Sequence, residues 1–274
     1  MSELTSDELN FVRKLVREGS GMVLSEDKEY LIVSKMHSLA RRQGIASLSE
    51  LLRQLLRPTG HELRRAMIEE ILIGETCFFR DEHPFSVLRS HILPELMRER
   101  ALDRSLNLWC GAASTGQEPY SLAILLAEML PLLSGWSVRI LATDLSEEKL
   151  ARARAGLYSE FEIARGMHEP LRSRFFSAEP GGWRIVPSLR RQVEFLQLNL
   201  VADWPAMPAM DLVLLRNVLI YFDGPTRAEV LRKLVASLRP NGYLLLGSSE
   251  TLVDELAGLR LVRQGSTVCY RRES

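Results

Sequence analysis

The sequence contains little cysteine, no long hydrophobic run and no excess of charge of either sign. Its three cysteines are odd in number and lack paired spacing, which argues against a disulfide framework or a cysteine-based metal site. No apolar run approaches the roughly 18 residues of a membrane-spanning helix, and the polar N-terminus is not that of a signal peptide. Lysine plus arginine and aspartate plus glutamate number 35 each, which disfavours nucleic acid as a partner. We expect a cytoplasmic protein without membrane insertion or bound metal, and a monomer by default.

Two phosphate-binding motifs are also missing. The sequence contains neither G-x-x-x-x-G-K-[ST] nor the G-x-G-x-x-G turn that cradles a pyrophosphate. It does contain LNLWCGAASTGQEPY at residues 106–120, which predicts a strand, a turn of small residues from Gly111 to Gly116, and a helix carrying Glu118. Open α/β sheets bind adenosine-containing cofactors at such turns because small residues let the backbone approach the ligand. The pattern favours a nucleoside without a diphosphate, and S-adenosylmethionine is the obvious candidate.

Asp144 follows the next predicted strand, residues 138–143. In nucleotide-binding folds, a carboxylate at the end of the second strand accepts hydrogen bonds from the ribose hydroxyls. The alternative is that Asp144 caps the helix predicted from Ser146 to Ala155. The small-residue turn upstream favours the ribose interpretation.

Residues 1–72 carry helical signals only, and we interpret them as a small helical domain. Capping boxes at Thr5/Glu8 and Ser47/Glu50 begin two of its helices. Residues 28–65 hold eight basic side chains against three acidic ones, so this region is positively charged. The pattern fits either an ordinary solvated helical surface or a patch that binds an acidic protein helix.

Residues 73–274 change to alternating strands and helices, which predicts an α/β fold with a doubly wound, mostly parallel sheet. The predicted helices are 117–130, 146–155 and 225–238, and the predicted strands are 106–109, 138–143, 193–198, 211–216, 243–247 and 267–271. The last two strands suit an antiparallel hairpin at the sheet edge. Pro180-Gly181-Gly182 indicates a hairpin turn before a strand at Trp183–Val186, so a small inserted antiparallel β subdomain is expected at about 172–192.

Three further segments are predicted to reach the same crevice, which lies outside the carboxyl ends of the strands. Asn199-Leu200 follow one strand, and an amide and a backbone there could fix an adenine edge. Arg216-Asn217 end the fourth strand and lead to Ile220-Tyr221-Phe222-Asp223. Residues 74–81, GETCFFRD, place two aromatic side chains and Arg80 at the domain junction.

Together, ETCFFRD, WCGAASTGQEPYS, NL after the third strand, and RNVLIYFD resemble the chemotaxis receptor methyltransferase family, CheR. Their order and spacing hold across nearly the whole chain. The resemblance implies a class I methyltransferase-like fold and transfer of a methyl group from S-adenosylmethionine to glutamate side chains on the cytoplasmic helices of chemoreceptors. The products would be a methyl ester and S-adenosylhomocysteine. The basic helical domain would recognise the receptor helices.

The resemblance also implies roles for individual residues. Arg80 and Tyr221 would lie next to the transferred methyl group, whereas Phe78 and Phe79 belong to the core. Gly111 belongs to the predicted cofactor turn, and the resemblance adds a set of cofactor contacts: Thr76, Arg80, Glu118, Asp144, Asn199, Leu200, Arg216 and Asn217.

The sequence departs from the family pattern at two places. Several relatives carry Asn where this chain has Gly74, so a side-chain contact is lost there or replaced by the backbone. Enterobacterial relatives have a longer glycine-rich loop in the β subdomain, which binds a pentapeptide at the receptor C-terminus. Here RFFSAEPGGWRIV is shorter and lacks Gly-x-Gly-Pro. We predict that this enzyme does not depend on a pentapeptide tether.

Three alternative functions remain to be weighed. A methyltransferase for nucleic-acid bases or small molecules typically carries Asn/Asp-Pro-Pro-aromatic after the fourth strand, where this chain has Arg216-Asn217-Val218-Leu219. A non-catalytic cofactor-binding regulator is disfavoured by the presence of the residues named above. A nicotinamide dehydrogenase is weakest because the pyrophosphate turn is missing.

Overall fold

The computed structural model describes residues 4–72, 74–129, 132–250 and 258–273. The chain divides into two compact units, which are described separately. The helical unit comprises the described residues within 1–73, together with 200–202 and 221–228. The α/β unit comprises those within 74–199, 203–220 and 229–274. Among the described residues, no helix combines the length and apolar character needed to cross a lipid bilayer.

Four helices form the core of the helical unit: α1 (Ser6–Ser20), α2 (Glu29–Arg42), α3 (Leu48–Leu56) and α4 (His61–Ile71). Each buries an apolar stripe, with side chains such as Val12, Ile32, Leu51 and Met67 in one cluster. The predicted elements in this region are therefore confirmed.

The two predicted capping boxes differ. At α1, the backbone N–H of Glu8 donates to Thr5 Oγ1 at 3.3 Å and the N–H of Thr5 donates to Glu8 Oε2 at 2.8 Å, so the box is complete. At α3, the Glu50 N–H donates to Ser47 Oγ at 3.2 Å. The Glu50 carboxylate does not return to Ser47, because it accepts from Gln54 Nε2 at 2.8 Å instead. The second box is half correct.

The α/β unit contains ten strands in chain order: β1 (Ser105–Gly111), β2 (Ser137–Asp144), β3 (Leu157–Tyr158), β4 (Phe176–Glu179), β5 (Gly182–Ile185), β6 (Val193–Gln197), β7 (Met210–Leu215), β8 (Leu238–Leu246), β9 (Leu259–Gln264) and β10 (Thr267–Arg272). Its helices are α5 (His83–Val87), α6 (Leu93–Glu99), α7 (Gln117–Glu128), α8 (Glu147–Ala155), α9 (Glu160–Ala164), α10 (Glu169–Phe175) and α11 (Pro187–Arg190). A final helix, α12 (Gly224–Ser237), precedes β8.

Seven strands form the large sheet in the order β6-β2-β1-β7-β8-β10-β9. The first five are parallel to one another, and β10 is antiparallel to both β8 and β9. This confirms the doubly wound, mostly parallel sheet with an antiparallel edge. The predicted antiparallel pairing of 243–247 with 267–271 is confirmed by β8 and β10, whereas their placement at the sheet edge is wrong, because the unpredicted strand β9 lies outside β10. The β9 sequence, LRLVRQ, contains two arginines, and of its six residues only Leu259 is buried. It therefore lacks the continuous apolar pattern of a buried strand.

The three remaining strands form a separate antiparallel sheet in the order β3-β5-β4. The β4–β5 hairpin turns at Pro180-Gly181, and Gly181 and Gly182 have φ angles of 92° and 147°. A side chain at Gly182 would lie 2.0 Å from the Tyr158 carbonyl oxygen, so close pairing with β3 requires glycine there. The predicted hairpin is confirmed, whereas β3 was not predicted because two residues give no periodic pattern.

Candidate cofactor and methyl-transfer site

The order of the large sheet places a crevice between β1 and β7. The chain passes from β1 to β2 and on to β6 on one side, and then returns to β7 on the other side of β1. Ligands of open α/β sheets bind at this reversal, outside the carboxyl ends of the strands. Gly111 ends β1, Asp144 ends β2, and Arg216 follows β7. Three residues predicted from the sequence therefore lie together at the carboxyl ends of the central strands.

The turn after β1 is tightly packed and conformationally strained. A Cβ atom at Gly111 would lie 2.8 Å from Leu215 Cδ1, and one at Gly116 would lie 2.8 Å from Ala153 Cβ. Gly116 also has a φ of 97°, which favours glycine. Two residues with side chains, Ala112 and Ser114, have φ angles of 53° and 50°. Such strain persists only where the surroundings enforce it, and it concentrates at binding sites.

Asp144 connects this turn to the neighbouring strands. Its Oδ2 accepts the backbone N–H of Ser114 at 2.8 Å, and its Oδ1 accepts that of Ser146 at 2.9 Å. The N-cap of α8 is Ser146, whose side chain accepts from the Lys149 N–H at 3.3 Å. The interpretation of Asp144 as the helix cap is therefore wrong. The Leu198 N–H donates to the Asp144 carbonyl at 3.0 Å, so Asn199 comes directly after a residue bonded to Asp144.

Arg216 is the centre of a buried ion-pair cluster. Its Nη1 donates to Glu118 Oε2 at 3.0 Å, and its Nη2 donates to Asp81 Oδ2 at 2.7 Å and to the Arg80 carbonyl at 3.0 Å. The Arg216 side chain is 1% exposed, and its guanidinium lies 5.9 Å from the centroid of the Phe85 ring. One side chain thus joins the end of β7, the start of α7 and the segment that carries Arg80.

The electrostatics of Glu118 reflect the same cluster. Burial raises the pKa of the Glu118 carboxyl, and the Arg216 and Arg80 guanidinium groups act in the opposite direction. The effect of Arg80 on this pKa requires its charge to lie near Glu118. Arg80 itself is half-buried, and its Nη1 donates to the Glu75 carbonyl at 3.2 Å.

The segment around Arg80 is the most strained part of the described backbone. Phe79, Asp81 and Glu82 have φ angles of 46°, 66° and 43°. The Phe79 N–H donates to Ser121 Oγ on α7 at 2.9 Å, which fixes the segment. Phe78 is fully buried and meets Tyr158 edge to face at 5.0 Å, as expected for a core residue.

Gly74 and Thr76 lie at the start of this segment. The Gly74 carbonyl accepts a hydrogen bond from Ser114 Oγ at 2.9 Å, so the backbone contacts the turn at the position where relatives have Asn. A Cβ at Gly74 would lie 2.5 Å from Lys149 Nζ. Thr76 is half-buried on the same stretch as Arg80.

Asn217 and Arg216 retain unsatisfied polar atoms. Asn217 has a φ of 60°. Within the described part of the chain, buried Asn217 Oδ1 and Arg216 Nε have no hydrogen-bond partner. Buried polar groups without partners are uncommon in folded proteins and call for an explanation, such as a ligand.

Leu200 and Tyr221 belong to the helical unit and not to the α/β unit. The Tyr221 side chain packs against the helical core, its carbonyl accepts from the Val23 N–H at 2.8 Å, and Lys28 Nζ lies 5.9 Å from its ring centroid. Their predicted roles beside Arg80 and the cofactor stay predictions.

Glu250, which was not predicted from the sequence, lies at the same carboxyl end of the sheet. Its carboxylate accepts four backbone N–H groups, from Asn217, Val218, Ile220 and Gly247. The available signal was an acidic residue three positions beyond Gly247, at the end of a strand in the sheet that carries the predicted site.

Comparison with known proteins follows the same division of the chain. The profile described as "CheR methyltransferase, SAM binding domain" matches residues 74–267, and "CheR methyltransferase, all-alpha domain" matches residues 7–72. A protein of Pseudomonas aeruginosa named chemotaxis protein methyltransferase 1 is 36% identical over 275 residues, covering 99% of both chains. One of Vibrio parahaemolyticus, named chemotaxis protein methyltransferase, is 35% identical over 271 residues, covering 98% of both.

A more distant relative is also covered over most of its length. A chemotaxis protein methyltransferase of Borreliella burgdorferi is 33% identical over 254 residues, covering 91% of this chain and 89% of that protein. Because both profiles and these near-full-length relatives agree, the chain belongs to the CheR methyltransferase family and is a methyltransferase with S-adenosylmethionine as its cofactor.

Proposed function

We propose that this protein methylates glutamate side chains on the cytoplasmic helices of chemoreceptors, without dependence on a receptor pentapeptide. The observation that carries the proposal is the buried cluster of Arg216, Glu118 and Asp81 at the crevice, with Arg80 on the adjoining segment. The cluster lies where doubly wound sheets bind their ligands. The names of the relatives quoted above support chemotaxis as the pathway.

The residues at the crevice fit S-adenosylmethionine. Gly111 and Gly116 let the turn pack against Leu215 and Ala153 at the carboxyl end of the sheet, where a side chain at either glycine would clash. Glu118 and Arg216 offer opposite charges, which match the ammonium and carboxylate of an amino-acid moiety. Asp144 lies at the position of a ribose-binding carboxylate, and Asn217 Oδ1 is an acceptor without a partner among the described residues.

The reaction needs alignment more than acid–base chemistry. When bound, S-adenosylmethionine supplies a methyl group already activated by its sulfonium, and a glutamate with a pKa of about 4.3 is ionised at neutral pH. No proton has to be removed from the acceptor. Holding the acceptor in line with the methyl group can contribute roughly 7–11 kcal/mol in favourable cases.

Arg80 is proposed to orient the acceptor carboxylate. Its guanidinium can donate two hydrogen bonds to a carboxylate, and its segment is held by Arg216 and Ser121. Tyr221 would supply a hydroxyl near the acceptor, and Leu200, Asn199 and Thr76 would contact the cofactor. These roles come from the family resemblance.

The helical unit is proposed to bind the acidic receptor helix. Several of its basic side chains pair internally, since Lys35 and Arg42 share Glu70 and Arg65 pairs with Glu69. Arg41 in the last turn of α2 is exposed. The surface available to a partner is therefore less basic than the sequence count of residues 28–65 indicates.

The decisive test is transfer of radiolabelled methyl from S-adenosylmethionine to purified receptor cytoplasmic fragments, followed by base treatment. We expect label that is released as methanol by base and that maps to receptor glutamates, because methyl esters are base-labile. A receptor fragment with those glutamates replaced by alanine is the matched control. Base-stable label, or none despite cofactor binding, would reject a carboxyl acceptor.

Independence from the pentapeptide is supported by the small sheet. The β4–β5 hairpin has only Pro180-Gly181 between its strands, so it lacks a long loop. We expect receptor fragments with and without their C-terminal pentapeptide to be methylated at equal rates. Calorimetric titration of the free pentapeptide is the direct measurement, and a tight complex would overturn this part of the proposal.

A further inference from the structure

Glu250 is a buried carboxylate whose hydrogen bonds all come from the backbone of the site. The residue is 7% exposed. Its Oε2 accepts from the N–H groups of Asn217 at 2.6 Å and Gly247 at 2.7 Å. Its Oε1 accepts from those of Val218 at 2.7 Å and Ile220 at 3.3 Å. One side chain therefore holds the loop after β7 and the loop after β8 together.

The negative charge of Glu250 is stabilised by backbone groups and, among the described residues, by no cationic side chain. Across the part of the chain that the structure describes, no lysine, arginine or histidine forms an ion pair with it. Its negative charge is stabilised by four backbone N–H dipoles instead. That charge also contributes to the raised pKa of Glu118, so the two carboxylates lie within electrostatic reach of each other.

Gly247 makes this arrangement possible. A Cβ atom there would lie 2.7 Å from Glu250 Oε2 and 2.9 Å from the Asn217 backbone nitrogen. Any side chain at this position would have to push the carboxylate and the loop apart. Asn217, in turn, has a φ of 60°, a left-handed conformation that asparagine adopts more readily than most residues with a side chain and that the bonds to Glu250 support.

We propose that Glu250 is a positioning residue for the cofactor. By accepting the N–H groups of Asn217, Val218 and Ile220, it holds Asn217 in its left-handed conformation, with Asn217 Oδ1 ready to contact S-adenosylmethionine. The inference rests on the proposed role of Asn217 in cofactor binding. It assigns Glu250 no contact with the reacting atoms.

The competing explanation is that Glu250 only stabilises the fold, and Asp211 provides the comparison. Asp211 is fully buried near the start of β7, whereas Glu250 binds the loop that follows the end of β7. Its carboxylate accepts from the Asn107 N–H at 2.8 Å and from Arg100 Nε at 2.7 Å. Both carboxylates bind backbone, and only Glu250 binds the loop that carries predicted cofactor residues.

The experiment compares Glu250→Gln with Asp211→Asn by calorimetric titration of the folded proteins with S-adenosylmethionine. A glutamine keeps the shape and replaces one acceptor oxygen by an NH2 group, which cannot accept from two of the four donors. We expect the Kd of Glu250→Gln to rise about 10- to 100-fold, the loss expected from one or two charge-assisted hydrogen bonds. Asp211→Asn should lose stability and keep the wild-type Kd.

Steady-state kinetics gives a readout that a fold-stabilising role would not change, and amide exchange checks that the variant releases the loop. Glu250→Gln should raise the KM for S-adenosylmethionine more than that for the receptor fragment. Hydrogen exchange should accelerate at Asn217, Val218, Ile220 and Gly247 in Glu250→Gln and not in Asp211→Asn. A Kd within twofold of wild type would overturn the proposal.

A second variant and the wild-type titration serve as controls. If Glu250→Gln does not fold, Gly247→Ala keeps the charge and disrupts the same contacts, and it should weaken S-adenosylmethionine binding equally; an unchanged Kd would overturn the proposal. If the wild-type protein fails to bind S-adenosylmethionine, the cofactor site itself is wrong. Wild-type binding with an unaffected Glu250→Gln rejects only the role of Glu250.

Discussion

The two ends of the large sheet use the same kinds of side chain in different ways. At the amino ends of the strands, Asp211 is held by Arg100 and by a backbone N–H. Nearby, Arg271 pairs with Glu95 at 3.0 Å and with Glu99 at 3.0 Å. These groups bind one another, and Arg239 Nη1, which has no hydrogen-bond partner among the described residues, lies 3.5 Å from Asp211 Oδ1.

The carboxyl end combines strain with unsatisfied polar atoms. Of the described non-glycine residues with positive φ, Arg104 and Asn241 lie toward the amino end, whereas the others are at the crevice or the segment beside it: Phe79, Asp81, Glu82, Ala112, Ser114 and Asn217. Asn217 Oδ1 and Arg216 Nε lack partners among the described residues. A folded chain tolerates such costs where function requires them. We infer that the ion pairs at the amino end serve the sheet alone, and we propose that those at the carboxyl end also shape the cofactor site.

The largest effect should come from removing the centre of each ion-pair cluster. Arg216→Met leaves Glu118 buried without its guanidinium, and loss of one partner of a buried pair costs about 3–5 kcal/mol. Arg100→Met at the other end should cost less, because Arg239 Nη1 remains 3.5 Å from Asp211 Oδ1. Urea unfolding measures both losses. Only Arg216→Met should also weaken S-adenosylmethionine binding, and equal weakening by Arg100→Met would break the comparison.

Arg80→Ala should separate catalysis from stability. Arg80 is only half-buried and its side chain makes one backbone hydrogen bond, to Glu75, so its loss should change the unfolding free energy by less than about 1 kcal/mol. Turnover should fall about 10²- to 10³-fold, the loss typical for removal of one positioned donor. Methyl transfer to receptor fragments and thermal unfolding are the two measurements. Near-normal turnover in the folded variant would remove Arg80 from the mechanism.

The sequence predicts the sheet well because its strands are long, apolar and separated by clear turns. It also predicts Gly111, Asp144 and Arg216 at one edge, since the carboxyl ends of parallel strands meet there. The edge strand β9 was not predicted because its two arginines and mostly exposed side chains resemble those of a surface segment.

Contacts between distant residues could not be predicted from local pattern. Glu250 lies 33 residues beyond Asn217, and no spacing rule links a carboxylate to four backbone N–H groups. The positive φ of Phe79 could not be predicted either, because phenylalanine rarely adopts that conformation. The cap of α8, by contrast, is a local feature. The sequence left open that Asp144 caps this helix, and the observed cap, Ser146, lies two residues further on.

A smaller effect should distinguish two buried tyrosines. Tyr158 Oη donates to the Thr115 carbonyl in the cofactor turn at 2.8 Å, and Tyr120 Oη donates to the Ala153 carbonyl in α8 at 2.8 Å. Each Tyr→Phe variant leaves a carbonyl without its donor and should cost about 1–3 kcal/mol in urea unfolding. Only Tyr158→Phe should raise the Kd for S-adenosylmethionine, by a few-fold. Equal Kd values for the two variants would show that the hydroxyl does not hold the turn.

The smallest effect is a pH dependence that Glu118 introduces at the crevice. Because burial raises its pKa in the folded state, the native protein binds more protons than the unfolded chain between the ordinary pKa and the raised one. The stability contributed by Glu118 is therefore present below about pH 4.3 and is lost as the pH rises through the folded pKa, with a slope of at most about 1.4 kcal/mol per pH unit. Urea unfolding of wild type and Glu118→Gln across this window should show their difference falling with pH and then levelling. Arg216→Met should extend the fall to higher pH, because Arg216 lowers the Glu118 pKa. A difference that grows with pH would mean that the arginines outweigh burial, and that the crevice favours the charged carboxylate.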